Sequence, residues 1–198
     1  MEATDALLVA QARAGDGDAF RVLVERHSRK VFRLAFRLMG NGEDAEDIVQ
    51  ESFLRAYRSL DRFQEQAQFS SWIYRIASNH ALDLLRSRKR RSEESLSKPA
   101  ANGDGRSIGD QLASVDPGPD RLTAGNQLQR TIQNALEELT AQERVAFTLR
   151  HFEGQSVEEI SASLKVSASA TRNAVFRAVQ KVRQALRPAE GGAAIWRS

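Results

Sequence analysis

The chain of 198 residues contains no cysteine. That excludes a disulfide scaffold, a thiolate metal site and a cysteine nucleophile, and it suits a reducing compartment. No apolar run approaches the roughly 18 residues that a membrane span needs. The start of the chain carries Glu2 and Asp5 and no basic stretch, so it lacks the form of a signal peptide. No Ser/His/Asp set, Walker loop or GxGxxG is present. The three histidines, His27, His80 and His151, are far apart in sequence. His27 and His80 fall on apolar stripes, where a satisfied core histidine is the natural reading. These absences predict a soluble, cytoplasmic protein with no membrane insertion, no cofactor, no metal and no catalytic residue.

Leu, Ile, Val and Phe make up about a quarter of the chain, just above the roughly 20% below which disorder is the default. The length allows one domain or two small ones, and this apolar content suits two modest cores better than one large core. Charge divides the chain in the same way. Residues 1–91 hold 16 basic and 13 acidic side chains, residues 92–125 hold 3 and 6, and residues 126–198 hold 10 and 7. Two mildly basic lobes thus flank an acidic connector, which suggests an anionic partner for the lobes. The connector, 92–125, is mostly Ser, Ala, Gly, Asp, Pro and Asn, with turn signals at Asn102-Gly103 and Pro117-Gly118-Pro119. It cannot build a core of its own and is expected to be a flexible linker.

Both lobes read as helical, and no segment alternates with period two for long enough to make a strand. The expected fold is therefore all-α. The boundaries are 1–91 for a four-helix lobe, 126–187 for a second helical lobe and 188–198 for a tail that carries Trp196. In the first lobe, Phe20, Leu23, Val24, His27, Val31, Leu34, Ala35 and Leu38 form one stripe. Gly40 is placed to end that helix and Asn41 to cap the next. Ser70 is the expected cap of a fourth helix, which turns Ile73, Ile76, Ala77, Leu84 and Leu85 inward. In the second lobe, Thr140–Glu143 and Ser156–Glu159 are capping boxes. The last helix, capped by Ser167 or Ser169, should bury Val175, Val179, Val182 and Leu186.

Three constellations carry function. A short helix, a tight turn near Leu164–Ser167 and a longer helix form a helix-turn-helix pattern. Between Ser167 and Arg187 there are five bases and no acid, as a phosphate-lined groove requires. Ser169, Arg172, Asn173, Phe176 and Arg177 lie on the face opposite the apolar stripe, and Lys181 follows them. Arg suits guanine, Asn suits adenine, and Phe can touch a thymine methyl. The second constellation is Glu43, Asp44, Glu46, Asp47 and Glu51, five carboxylates in nine residues. The helix macrodipole explains acids in the first turn. The excess, with Gln50 and Phe53 beside it, suggests a surface for a basic protein partner, with a metal-dependent nuclease site as the enzymatic alternative. The third is Trp72, Tyr74, Arg75, Asn79, Asp83 and Arg86, followed by Arg88, Lys89, Arg90 and Arg91. Rings that stack, an amide that reads an edge and bases that hold phosphate suit single-stranded DNA, and Gln64, Gln66 and Gln68 could wall a pocket for one extruded base. Partly buried aromatics and a solvated basic helix end would look the same.

Taken together, these segments resemble the extracytoplasmic-function (ECF) group of bacterial RNA polymerase sigma factors, in the sigma-70 family. The resemblance rests on Gly17-Asp-Ala-Phe20, Asp44-Ala-Glu-Asp-Ile-Val-Gln-Glu-Ser-Phe53, Phe69-Ser-Ser-Trp-Ile-Tyr-Arg-Ile-Ala-Ser-Asn79, Leu136-Glu-Glu-Leu-Thr140 through Leu149-Arg150, and Glu153-Gly-Gln-Ser-Val-Glu-Glu-Ile160 with the final helix. It covers roughly residues 5–91 and 120–187. It implies that Asp44, Asp47, Gln50 and Glu51 dock on the clamp helices of the polymerase β′ subunit. It implies that Gln64, Gln66, Gln68, Trp72, Tyr74, Asn79 and Asp83 open and read the −10 element, with Arg86, Arg88, Lys89 and Arg90 on phosphates. The last helix would read the −35 element, its lobe would contact the β flap, and an anti-sigma factor is an expected partner. Family members usually open that helix with Gly-Thr-Val, where this chain has Ser169-Ala170-Thr171. Ala174 and Val179 stand where arginines are common, so the −35 preference does not transfer. A stand-alone helix-turn-helix regulator of duplex operators is the alternative, but it leaves the acidic helix and the Trp72–Asn79 face without a role.

Overall fold

The computed structural model describes residues 3–64, 68–97, 132 and 134–186. These form an all-α fold in two lobes, and no strand occurs among them. The first lobe comprises α1 (Asp5–Arg13), α2 (Gly17–Met39), α3 (Gly42–Arg58), a 3-10 turn (Leu60–Arg62) and α4 (Phe69–Ser97). The second comprises a helical turn at 134–137, α5 (Ala141–His151), α6 (Val157–Leu164) and α7 (Ala168–Ala185). Among the described residues no helix is long and apolar enough to cross a membrane.

Helix boundaries follow local chemistry. Asp16 Oδ1 accepts from the backbone N–H groups of Asp18 and Ala19 and starts α2. Gly40 ends it in the left-handed region at φ 82°, where a Cβ would be strained. Asn41 caps α3 through the Asp44 N–H. Both capping boxes form, with Thr140 and Glu143 at α5 and Ser156 and Glu159 at α6. Ser167, rather than Ser169, caps α7. Ser70 is not a cap. α4 begins at Phe69, and Trp72 N–H already bonds the Gln68 carbonyl. α4 also continues through Ser92–Ser97, six residues that the composition assigns to the connector. The remainder of the connector, Gln66 and the tail with Trp196 lie outside the described residues.

The stripe of α2 is the keel of the first lobe. Leu23, Val31, Leu34, Ala35 and Leu38 are fully buried, and Ile48, Ala56, Ile73 and Ala77 of α3 and α4 close over them. His27 is a core histidine, its Nε2 2.7 Å from Asp5 Oδ2. The expectation of two separate cores needs correction. Val145, Ala146, Leu149, Ile160, Leu164 and Ala174 of the second lobe belong to the same apolar cluster as α1–α4. The second lobe's private cluster is small and holds Ala135, Leu136, Leu139, Phe147, Ala178 and Val182. The inward face of α7 also differs from the predicted one. Thr171, Ala174, Ala178 and Val182 are buried, whereas Val175 and Val179 are half-buried at its flank and Leu186 is exposed. The small residues face inward because they let α7 approach its neighbours closely.

Leu34 is enclosed on every side, so Leu34→Ala leaves a cavity that this core cannot easily collapse. It should lower unfolding free energy by about 2–5 kcal/mol in a urea titration followed by circular dichroism. A loss below about 1 kcal/mol would mean that the core of the first lobe is loosely packed.

Candidate nucleic-acid and polymerase interfaces

The acidic edge of α3 splits into two parts. Asp47 and Gln50 are exposed and point outward. Gln50 lines an open groove with Ser28, Arg29, Phe32, Glu46 and Val49, about 510 Å³ in volume, between α2 and α3. Phe32 stacks on Phe36, whose ring centroid is 6.1 Å away, and Phe36 is itself exposed. This gives the acidic edge an apolar wall. The sequence reading missed Phe32 and Phe36, which lie off the main apolar stripe of α2, and counted Val49 only as part of the stripe of α3. Glu51 accepts from Arg55 Nε at 2.6 Å, a bond that holds its carboxyl below the usual range.

Asp44 behaves differently from its neighbours. Its carboxylate is enclosed by the Asn41 amide and the guanidinium of Arg88, which reaches it from α4. Burial pushes its pKa up, but the hydrogen bonds from Arg88 and Asn41 outweigh that and leave the carboxyl below the usual 3.8. A predicted polymerase contact and a predicted phosphate contact are therefore bonded to each other.

The residues predicted to read a single strand lie along α4 and the segment before it. Gln64 and Gln68 are exposed. Trp72 is only 7% exposed, in an aromatic cluster with Phe63 and Phe69 at centroid distances of 5.1 and 5.8 Å. It is mainly a core ring with one edge on a cavity. That cavity, about 310 Å³, is walled on the first-lobe side by Arg62, Gln64, Ser71, Trp72 and Arg75. Arg62 has no counterpart in the sequence reading, since it falls in the stretch where the pattern breaks. Asn79 is half-buried, and its Nδ2 donates to the Arg75 carbonyl at 2.8 Å and to the Ser163 carbonyl at 2.9 Å. Tyr74 is half-buried beside Glu153, and burial together with that carboxylate raises its pKa. Asp83, Arg86, Lys89 and Arg90 are exposed. Arg86, Lys89 and Arg90 wall a groove whose other side is Thr140, Ala141 and Gln142.

On α7, Ser169, Arg172, Asn173, Phe176 and Arg177 share one exposed face, and Phe176 is 64% exposed. This ring stands amid the polar and basic side chains of the face, where a thymine methyl could meet it. Lys181 lies off this face, and its Nζ is 2.7 Å from Glu143 Oε2. Burial raises the Glu143 pKa, but Lys181 and the Thr140 backbone pull it down further, leaving it below its usual value. The turn before α7 passes through Lys165 at φ 54°, which redirects the chain from α6 into α7.

Comparison with known proteins places these surfaces in context. Residues 23–91 match sigma-70 region 2, and residues 129–182 match sigma-70 region 4. The chain is 35% identical to the ECF RNA polymerase sigma-E factor of Haemophilus influenzae over 93% of its length and 96% of that protein. It is 31% identical to the ECF RNA polymerase sigma factor SigW of Bacillus subtilis, over 90% and 95% of the two chains. Among solved structures it is similar to CnrH in complex with the cytosolic domain of CnrY, with a TM-score of 0.62, 27% identity and coverage of 92% and 96%. The fold is also that of the sigma factor RpoE of Bartonella quintana bound to the anti-sigma factor NepR, with a TM-score of 0.61, 20% identity and coverage of 85% and 96%.

The Asp44–Arg88 pair makes a pH prediction. A carboxyl whose pKa is lowered by folding contributes stability that is complete above its unfolded value and is lost as pH falls through the folded one. Asp44→Asn should therefore have a lower urea midpoint than the parent chain at pH 7, and the gap should close as pH falls below the usual carboxylate range. A gap that persists unchanged at low pH would show that the asparagine disturbs packing rather than removing an ion pair.

Proposed function

We propose a division of labour for this chain, which belongs to the ECF group of sigma-70 family RNA polymerase sigma factors and directs the polymerase core to promoters. The exposed edge of α3, with Asp47, Gln50, Glu51 and the Phe32–Phe36 wall, docks on the β′ clamp helices. The α4 face reads and opens the −10 element, with Gln64, Gln66, Gln68 and the rim of Trp72 around an extruded base, Tyr74, Asn79 and Asp83 along the strip, and Arg86, Arg88, Lys89 and Arg90 on phosphates. The α7 face, Ser169, Arg172, Asn173, Phe176 and Arg177 with Lys181 behind it, reads the −35 element, and its lobe meets the β flap. Asp44 belongs to the same docking edge and has a second task in this scheme, since it anchors α4 to the start of α3 through Arg88.

The observation that carries this reading is the five-residue face of α7, bare of acid and crowned by an exposed phenylalanine, on a chain that also presents an acidic docking edge. A stand-alone operator-binding regulator has no need of the second surface and is not favoured. The chain would contribute no catalytic group, because the chemistry of RNA synthesis belongs to the polymerase. It would act in the cytoplasm, where the polymerase is, and an anti-sigma factor is an expected partner, as for the Bartonella quintana RpoE captured with the anti-sigma factor NepR.

Asp47→Arg should abolish co-elution with sigma-free polymerase core in competition with a housekeeping sigma factor and leave the helical circular dichroism signal unchanged. Retained affinity would remove Asp47 from the docking edge. Asn79→Ala should slow promoter opening on duplex DNA, read by permanganate footprinting, by more than it weakens core binding. Equal loss of both would make Asn79 a structural residue.

A further inference from the structure

We infer that Arg13 of α1 is a positioning residue for base reading. It holds the turn on which Arg62, Gln64 and the ring beside Trp72 are mounted, and so sets how selectively an extruded base is read. This rests on the assignment of Gln64 and Trp72 proposed above.

Arg13 occupies the last turn of α1, where the helix dipole favours a base whatever else the side chain does. The guanidinium does not stay on its own helix. Its Nε donates to the Leu60 carbonyl at 3.0 Å and its Nη2 donates to the Phe63 carbonyl, 47 and 50 residues along the chain. The guanidinium carbon also lies 5.9 Å from the centre of the Phe63 ring. The stretch it grips gains from an outside hold. The 3-10 turn Leu60–Arg62 has three residues, bonded through the Arg62 N–H to Ser59 O at 2.9 Å and the Phe63 N–H to Leu60 O at 3.0 Å. Phe63 then turns extended, at ψ 126°, so its carbonyl leaves the helical path. A guanidinium is a rigid fork of donors, and one fork that spans the carbonyls at both ends of a turn fixes their separation and direction.

The turn leads directly into the cavity beside Trp72. Arg62 and Gln64 flank Phe63 in the chain, and both line that cavity. The Phe63 ring meets the Trp72 ring at a centroid distance of 5.1 Å. Arg13 is not among the lining residues, so it acts on a bound base only through the wall it holds. Its own helix is well fixed. Leu8, Val9 and Ala12 are buried in the core, and Asp5 is held by Arg26 at 3.1 Å and by His27 at 2.7 Å. The position of the wall is thereby referred to the buried stripe of α2, on which α1 is seated.

The test uses holoenzyme, the chain joined to sigma-free polymerase core. Parent holoenzyme selects a promoter from a pool of random duplexes, and opening is then followed on a set in which each base pair of the melted segment is substituted in turn. Gln64→Ala should relax base preference at one position. Arg13→Met removes the donors, keeps an apolar stem and should relax preference at that same position by about fivefold, the effect of roughly one hydrogen bond. The double variant R13M/Q64A should discriminate there no worse than Gln64→Ala, because no amide remains for Arg13 to place. A merely structural arginine would instead slow opening of every substituted promoter by the same factor and leave preference untouched. Arg13→Lys can bond one carbonyl but not both, so its preference should fall between those of the parent and Arg13→Met, and it decides the question alone if Arg13→Met does not fold. A folded Arg13 variant that joins core and keeps the parent's preference at the position that Gln64→Ala relaxes overturns the inference. If Gln64→Ala itself relaxes no position, the base-reading role proposed for Gln64 falls, and this inference with it.

Discussion

Arg144 sits at the seam between the lobes, where burial opposes its charge and carbonyl oxygens answer it. Desolvating a guanidinium costs several kcal/mol unless hydrogen bonds replace the lost water. Here one replacement comes from Leu136 in its own lobe and the other from Leu38 in the last turn of α2, where the helix dipole favours a cation. Half of the arginine's solvation is thus supplied by a different lobe. The apolar cluster behaves in the same way, because α5 and α6 complete their burial only against α2 and α4. The second lobe is consequently a poor unit on its own terms and a good one when seated.

That dependence shapes both interfaces. The α7 face proposed to read the −35 element points away from the seam and stays bare, as its exposed phenylalanine shows. The α4 strip proposed to read the −10 element meets the second lobe at Asn79 and beside Trp72. The docking edge of α3 is on the open side of the first lobe, and its groove stays accessible. The side chain that joins the two systems is Arg88, which bonds Asp44 on α3 from within the basic run of α4.

Much of this was legible in the sequence wherever the signal is local. Both capping boxes, the glycine that ends α2 and the asparagine that opens α3 formed as their spacing predicts, because capping depends on neighbours three residues away. The exposed face of α7 was equally plain, since the acid-free run and the helical period specify it. Local reasoning failed at both ends of α4, where Ser70 is no cap and the helix runs on to Ser97; the other failures are tertiary. Periodicity identifies an apolar stripe but not its partner, so the shared core went unseen. Bulk suggested Val175 and Val179 as the inward residues of α7, whereas close helix packing selected Ala174 and Ala178. Trp72 lies off the Ile73–Ala77 stripe, yet Phe63 and Phe69 fold over it from the break before α4. Asp44 counted as one more surface acid until Arg88, 44 residues away, was found beside it.

The length of α4 has a consequence of its own. Its 29 residues run without a break from the aromatic cluster through the basic run. At 1.5 Å per residue that is a rod of about 43 Å. Asn79 and Arg86 lie on it two turns apart, about 10 Å. The rod is thus a ruler. With a base held at Asn79 and a phosphate at Arg86, as proposed, the rigidity of the helix would fix the interval between them before any strand is opened.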